Sequence, residues 1–398
     1  MLVGHLVVVG ASLAGLRAVQ SARDAGFSGK ITLVGAERHA PYDRTLLSKD
    51  FLSAEAKPAV PLYQEVALLT GRLGIDLVLG TPATELDTEG RAVVLADGRR
   101  IGYDALVIAT GVRARALPGR GELAGVHTLR TIADADAIRD RLGTAEHVVV
   151  VGGGFVGSEV ASSAQARGLK VTVVDADPAP LSAAVGRDMG RVCSSLHSAY
   201  GTDLRSGVGV RRIEGLGRVQ RVVLTDGSIV PADLVVVGIG SVAVTDWLAG
   251  SGVTVHDGVV ADKYLRTGVA GVHAAGDVAH WHNTFIHRRM RVEHWACAAA
   301  QGTVAGRNAV LPEDPLPCSV VPYFWSDWYG NRIQCAGVTS GDPETVIGDP
   351  DAHRFVALYR DEERVAGVLA MNDKGAFARY RGLVRARANW TNALVRTS

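Results

Sequence analysis

A chain of 398 residues with 47% apolar and 21% charged side chains has room for two or three domains, each burying its own core. Its 42 basic and 41 acidic side chains leave a net charge of +1, which gives no global footprint for nucleic acid. Apolar runs are broken by Gly or charge before about 18 residues and the first strand starts near Met1 without a basic leader, so no membrane span or signal peptide is expected in what reads as a cytoplasmic enzyme.

The β-branched run Leu6 to Val9 leads into Gly10-Ala-Ser12-Leu-Ala-Gly15 and a helical stretch, which is the context a dinucleotide fingerprint needs. Its glycines serve a tight turn, close approach of a pyrophosphate, and packing of helix against sheet, with the phosphates on the helix N-terminus. Glu37, 22 positions after Gly15, is placed to bond an adenosine ribose. Ser12 stands where a middle glycine is usual. The stretch Pro41 to Lys49 (PYDRTLLSK) contains no cysteine, so electrons on a flavin here have no adjacent disulfide to pass through. A β-rich piece with an Asp97-Gly98 turn precedes Asp104 to Gly111 (DALVIATG), a buried-type strand.

The pattern then repeats. His147 to Val151 feeds Gly152-Gly-Gly154-Phe-Val-Gly157, and Asp175 follows Gly157 by 18 positions. Asp226-Gly227 and Ser228 to Gly240 (SIVPADLVVVGIG) echo the earlier turn and strand, so the chain carries a diverged internal duplication. A carboxylate at Asp175 repels a 2′-phosphate, and no Arg or Lys occurs between Val171 and Val185, which favours NADH over NADPH. Gly271 to Asp277 reads as a strand closing on a Gly-Asp turn into a helix, with Asp277 facing a polar cofactor group. His280-Trp-His282 has a metal-like spacing but no acidic or cysteine partner nearby in sequence, and reads as surface histidines. The four cysteines (Cys193, Cys297, Cys318, Cys335) are far apart and read as buried thiols, with neither zinc nor an iron–sulfur cluster expected. From about Ser319 the character changes to Val-Pro-Tyr-Phe-Trp-Ser-Asp-Trp-Tyr-Gly and alternating strands at Arg354 to Tyr359 and Arg364 to Met371.

The expected fold is therefore α/β, with two Rossmann-like doubly wound dinucleotide-binding domains and a small C-terminal α+β domain. Residues 1–113 and 243–318 form the first, 114–242 the second and 319–398 the third.

In this order the motifs GASLAG, PYDRTLLSK, VIATG, VVVGGGFVGSE, GIG, AAGDVA, RVEHW and PYFWSDWYG resemble the NADH-dependent ferredoxin reductases that serve bacterial cytochromes P450 and ring-hydroxylating dioxygenases. The resemblance covers nearly the whole chain. It implies that Gly10, Ser12, Ala14, Gly15 and Glu37 hold the adenosine diphosphate part of FAD, that Arg44 and Lys49 approach the flavin, and that Ala83, Thr110, Gly111 and Arg130 match further FAD positions. Asp277 matches the ribityl-binding aspartate and Trp295 the position against the isoalloxazine. Gly152, Gly154, Phe155, Val156, Gly157, Glu159, Asp175 and Gly240 match the NADH side. Lys49 and Glu159 are expected to pair beside the flavin, and Trp325 is the expected contact from the third domain over the nicotinamide pocket.

The resemblance implies FAD reduced by NADH and reoxidised by a [2Fe–2S] or [3Fe–4S] ferredoxin, which feeds a P450 or Rieske-type oxygenase. Ferredoxins are usually acidic, and two basic clusters could receive one: Arg288, Arg289 and Arg291, or Arg379, Arg381, Arg385 and Arg387. The chain departs from the family pattern at Thr45 and Leu46, where a Pro-Pro pair is usual, and at Ala36, where aspartate is common. Those changes touch the FAD pocket, and the altered PYDRTLLSK stretch leaves open a small-molecule or oxygen acceptor; a third reading is a non-enzymatic NADH-responsive flavoprotein resembling apoptosis-inducing factors.

Overall fold

The computed structural model describes residues 3–117 and 123–394. The chain packs into two units. One comprises Met1–Asp43, Val60–Arg113 and Val242–Pro322, and the other Arg44–Ala59, Ala114–Ser241 and Tyr323–Ser398.

The first unit is built on a parallel five-stranded sheet in the order Val272–Ala274, Ala105–Ile108, His5–Val9, Lys30–Gly35, Ile75–Leu79. Its central strands read LVVV and ALVI because both faces are covered, so no alternation of apolar and polar residues is needed. The first fingerprint helix, Leu13–Asp24, lies against the later helix Trp295–Val310 with the backbones almost touching. A Cβ at Gly302 would sit 2.2 Å from the Ala14 carbonyl oxygen, and one at Gly306 2.1 Å from that of Ala18. The Asp97-Gly98 turn joins two strands of a small antiparallel sheet, Ala92–Leu95 and Arg100–Gly102.

The second unit repeats the plan. Its parallel sheet runs Asp203–Ser206, Lys170–Asp175, His147–Val151, Leu234–Val237, Val126–Thr128, and its Asp226-Gly227 turn joins Arg221–Leu224 to Ile229–Pro231. The duplication extends to side chains. The Asp104 carboxylate accepts from the Gly4 and His5 amides while His5 Nε2 meets Thr32 Oγ1 at 2.9 Å. Asp233 does the same for Glu146 and His147, and His147 meets Thr172 at 2.9 Å. This unit also carries an antiparallel sheet ordered Tyr323–Trp328, Asn331–Gly337, Arg364–Met371, Arg354–Asp361, Thr345–Asp349, with the helix Lys374–Arg385 capped by Asp373.

The helix expected after Asp277 does not form there. The strand Ala279–Asn283 follows instead, its residues alternating buried and half-buried, and the next helix begins at Trp295. A Gly-Asp turn announces a change of direction but not what comes next; the period-two burial of Ala279, Trp281 and Asn283 decides for a strand.

All four cysteines are free and buried. Burial also pushes the imidazoles of His197 and His273 down to about 4. Both are neutral in the folded chain, whereas the unfolded chain takes up protons near 6.5. The stability they contribute is therefore complete above about pH 6.5 and is lost as pH falls toward 4. Both ring nitrogens of His273 lack a hydrogen bond. His273→Leu is accordingly expected to raise the denaturant midpoint at pH 7 by about 1 kcal/mol equivalent and to flatten its decline between pH 6.5 and 4. An unchanged slope would remove His273 from the acid response.

Candidate functional site

In the first unit the turn after His5–Val9 is closed by backbone approach. Gly10 has φ +122°, and a Cβ there would lie 2.0 Å from the Ala109 carbonyl oxygen; one at Gly15 would lie 1.9 Å from that of Gly10. Ser12 is the N-cap of the helix, makes no side-chain capping bond, and no acid occupies the first turn, so the helix end presents amides and positive potential. Glu37, just beyond Lys30–Gly35, accepts from the Tyr42 hydroxyl at 2.6 Å. Ala83 opens the strand Ala83–Asp87, and Thr110 donates to the Val244 carbonyl at 2.7 Å beside Gly111. The Asp277 carbonyl accepts from Arg291 at 3.2 Å, and the Trp295 indole donates to Tyr63 Oη at 2.7 Å from the first turn of its helix.

The second fingerprint has the same construction. A Cβ at Gly152 would lie 2.4 Å from the Gly238 oxygen and one at Gly157 2.0 Å from that of Gly152, while Gly154, the N-cap of Phe155–Ala166, faces open space. Asp175 braces the loop, one carboxylate oxygen accepting from the Gly153 amide at 2.7 Å and the other from the Asp177 amide at 2.8 Å. Val156 is exposed on the first turn, Phe155 meets Phe324 edge-on at 4.6 Å between centroids, and Gly240 accepts from the Arg115 amide.

The same unit holds a buried ionic cluster. The Glu159 carboxylate, 5% exposed, takes Lys49 Nζ at 2.8 Å and the Ser326 hydroxyl at 2.5 Å on one oxygen, and the Ser48 hydroxyl at 2.5 Å on the other. Lys49 also donates to the Thr45 carbonyl at 3.0 Å. The strand of chain around Lys49 is pinned from below. Ser163 donates to the Ser48 carbonyl, Arg167 to that of Leu52, and the buried Arg139 to those of Phe51 and Glu55. Arg44 donates to the Arg130 carbonyl at 2.8 Å.

Two stretches match known families, pyridine nucleotide-disulphide oxidoreductase over residues 4–302 and reductase C-terminal over 323–397. The chain belongs to the pyridine nucleotide-disulphide oxidoreductases. It is 36% identical to rhodocoxin reductase of Rhodococcus erythropolis over 374 residues, 92% of this chain and 86% of that one. Identity to the biphenyl dioxygenase system ferredoxin–NAD(+) reductase component of Paraburkholderia xenovorans is 34% over 370 residues, covering 90% and 87%. The crystal structure of the ferredoxin reductase for the CYP199A2 system from Rhodopseudomonas palustris superposes with a TM-score of 0.92 at 31% identity, covering 97% of this chain and 95% of that one.

As a pyridine nucleotide-disulphide oxidoreductase the chain has two cradles fit for dinucleotides. In each, any Cβ on the first or third glycine would collide with backbone, and a helix N-terminus without an acid in its first turn is turned toward the loop. Lys49 and Glu159 meet as an ion pair, and Trp325 stacks on Tyr323. On Tyr323–Trp328 the face that meets Phe155 and Glu159 carries Phe324 and Ser326; Trp325 shares the other face with Tyr323, near the Arg332 guanidinium. Sequence motifs give Ser48, Ser326 and Phe324 no role, although strand alternation separates Phe324 and Ser326 from Trp325. Of the basic clusters, Arg291 is committed to Asp257 and Glu293, while Arg379, Arg381, Arg385 and Arg387 are exposed. Among the described residues no three His, Cys, Asp or Glu side chains are grouped to hold a metal, and no helix is long and apolar enough to cross a membrane.

Proposed function

We propose that this chain is an NADH-dependent ferredoxin reductase: it takes a hydride from NADH onto FAD and passes single electrons to an iron–sulfur ferredoxin that serves a P450 or another oxygenase. The observation that carries this reading is the pair of glycine cradles, one in each unit, together with the largely buried pair of Lys49 with Glu159 of the second fingerprint helix.

In this reading residues 1–113 and 243–318 bind FAD, 114–242 bind NADH, and 319–398 form the C-terminal domain. Gly10, Ser12, Ala14 and Gly15 admit the flavin dinucleotide's pyrophosphate, Glu37 takes its ribose, and Ala83, Thr110, Gly111, Asp277, Trp295, Arg44 and Arg130 are assigned to its further course. Gly152, Gly154 and Gly157 admit the nicotinamide dinucleotide, Asp175 takes its ribose, and Phe155, Val156 and Gly240 flank it. When bound, the flavin accepts two electrons from NADH and releases them singly; the chain supplies orientation and charge. Lys49 would supply an ammonium that offsets the negative charge gained on reduction, and Glu159 holds that ammonium in place.

Anaerobic stopped-flow mixing with NADH, then with a panel of ferredoxins, tests the assignment. Rapid loss of the flavin's visible absorbance and rapid return with a ferredoxin are expected; loss without return under ferredoxin would redirect the function to another acceptor. The Asp175 carboxylate gives a second test. Asp175→Asn is expected to raise the KM for NADH about tenfold and to narrow the preference over NADPH, read by steady-state kinetics with both nucleotides. An unchanged ratio of the two kcat/KM values would show that selectivity lies elsewhere.

A further inference from the structure

We propose that Tyr329 and His197 are positioning residues that deliver the Ser326 hydroxyl to Glu159, so that a hairpin turn in the C-terminal sheet sets the geometry of the Lys49–Glu159 pair. The strands Tyr323–Trp328 and Asn331–Gly337 pair with Trp328 opposite Asn331, which leaves Tyr329-Gly330 as a two-residue loop. Both loop residues have positive φ, +52° and +74°. A loop of this kind matches the strand twist but favours Asn-Gly or Gly-Gly, since a residue with a large side chain in the left-handed region costs about 1 kcal/mol or more.

The tyrosine is nonetheless held there by every polar atom it has. Its amide donates to Ser162 Oγ at 2.7 Å, its hydroxyl meets His197 Nδ1 and Thr202 Oγ1 at 2.9 Å each, and its carbonyl accepts from Asn331. Its ring stacks on Tyr200, 5.1 Å between centroids. His197 is fully buried and passes the contact on, its Nε2 lying 3.1 Å from Ser158 Oγ. Being neutral, the imidazole has one donor and one acceptor nitrogen, which is what a bridge between two hydroxyls requires.

Ser158, Glu159 and Ser162 all belong to the helix Phe155–Ala166. The turn is therefore fastened to that helix at Ser158 and Ser162, and the same strand reaches back three residues earlier to place Ser326 on Glu159. Without the fastening, the turn end of this edge strand can shift against the helix, and the 2.5 Å bond of Ser326 lengthens with it. A phenylalanine at 329 keeps the ring packing and the amide bond to Ser162, and loses the hydroxyl contacts to His197 and Thr202. The geometric claim stands by itself; its consequence for turnover rests on the reading of Lys49 and Glu159 given above.

The experiment uses the full flavin-bearing protein with 13C-carboxyl-labelled glutamate, the Glu159 resonance being assigned with Glu159→Gln. Ser326→Ala is expected to move that resonance at pH 7. Tyr329→Phe should move it in the same direction, and Tyr329→Phe combined with Ser326→Ala should move it no further than Ser326→Ala alone. His197→Leu should act like Tyr329→Phe, and His197→Asn, whose amide can occupy the Nδ1 position but cannot also reach Ser158, should bring the resonance only part of the way back. Stopped-flow reduction by NADH should slow about three- to tenfold in Tyr329→Phe with the NADH Kd within about twofold. A wild-type Glu159 resonance in folded Tyr329→Phe overturns the proposal. A moved resonance with an unchanged reduction rate would uphold the positioning and refute the reaction-centre role of the pair.

Discussion

Gly302→Ala is expected to destabilise the chain by about 3 kcal/mol and to strip it of flavin. The added methyl would sit 2.2 Å from the carbonyl oxygen of Ala14, and the atoms it meets are helix backbone, which cannot rotate away. Gly302 and Gly306 are one helical turn apart and face Ala14 and Ala18, also one turn apart, so relief at one contact displaces the other. The helix carrying Ala14 begins at the Gly10–Gly15 loop, and any separation of the two helices drags that loop out of shape. Urea unfolding and the flavin-to-protein ratio of the purified variant measure both effects. Gly382→Ala is the control: its Cβ would meet nothing within 4 Å on an exposed helical face, and it should gain about 0.5–1 kcal/mol. A wild-type midpoint and full flavin in Gly302→Ala would mean that the two helices can separate at little cost.

Lys49→Met should lower stability by about 3 kcal/mol and slow flavin reduction by about a hundredfold. Lys49 and Glu159 are both largely buried, with 16% and 5% of their side chains exposed, so removing the ammonium leaves a carboxylate steadied only by Ser48 and Ser326. Lys49→Glu should be worse, since two carboxylates would then share the space. Removing both charges in Lys49→Met with Glu159→Gln should recover much of the stability and none of the rate, because neither residue is then left unpaired. Equilibrium unfolding separates these cases from anaerobic stopped-flow rates. A single variant that keeps the wild-type reduction rate would take Lys49 out of the chemistry.

The duplication was legible in the sequence because each copy is a local pattern: an apolar run, glycines at fixed spacing, a helix, and an acid beyond the next strand. Asp97-Gly98 and Asp226-Gly227 announced their hairpins for the same reason. What stayed hidden depends on distance along the chain. Ser48 reaches Glu159 across 111 positions and Ser326 across 167, and no periodicity encodes such a meeting. The strand after Asp277 is not legible, because Gly-Asp marks a turn equally well before a strand or a helix. The strand Tyr323–Trp328 illustrates a different limit: its alternation sends Trp325 to one face and Phe324 and Ser326 to the other, but only the fold tells which face meets the fingerprint helix.

Residues 44–59 pack with segments that come far later in the chain, their carbonyls taken by Arg139, Ser163 and Arg167. A gene fusion that exchanged only 114–241 and 323–398 for those of a relative would seat a foreign guanidinium pair under a native loop. The exchangeable piece is thus discontinuous at the level of DNA. Recombination that preserves function must move the sixteen codons of that loop together with the nucleotide unit they rest on.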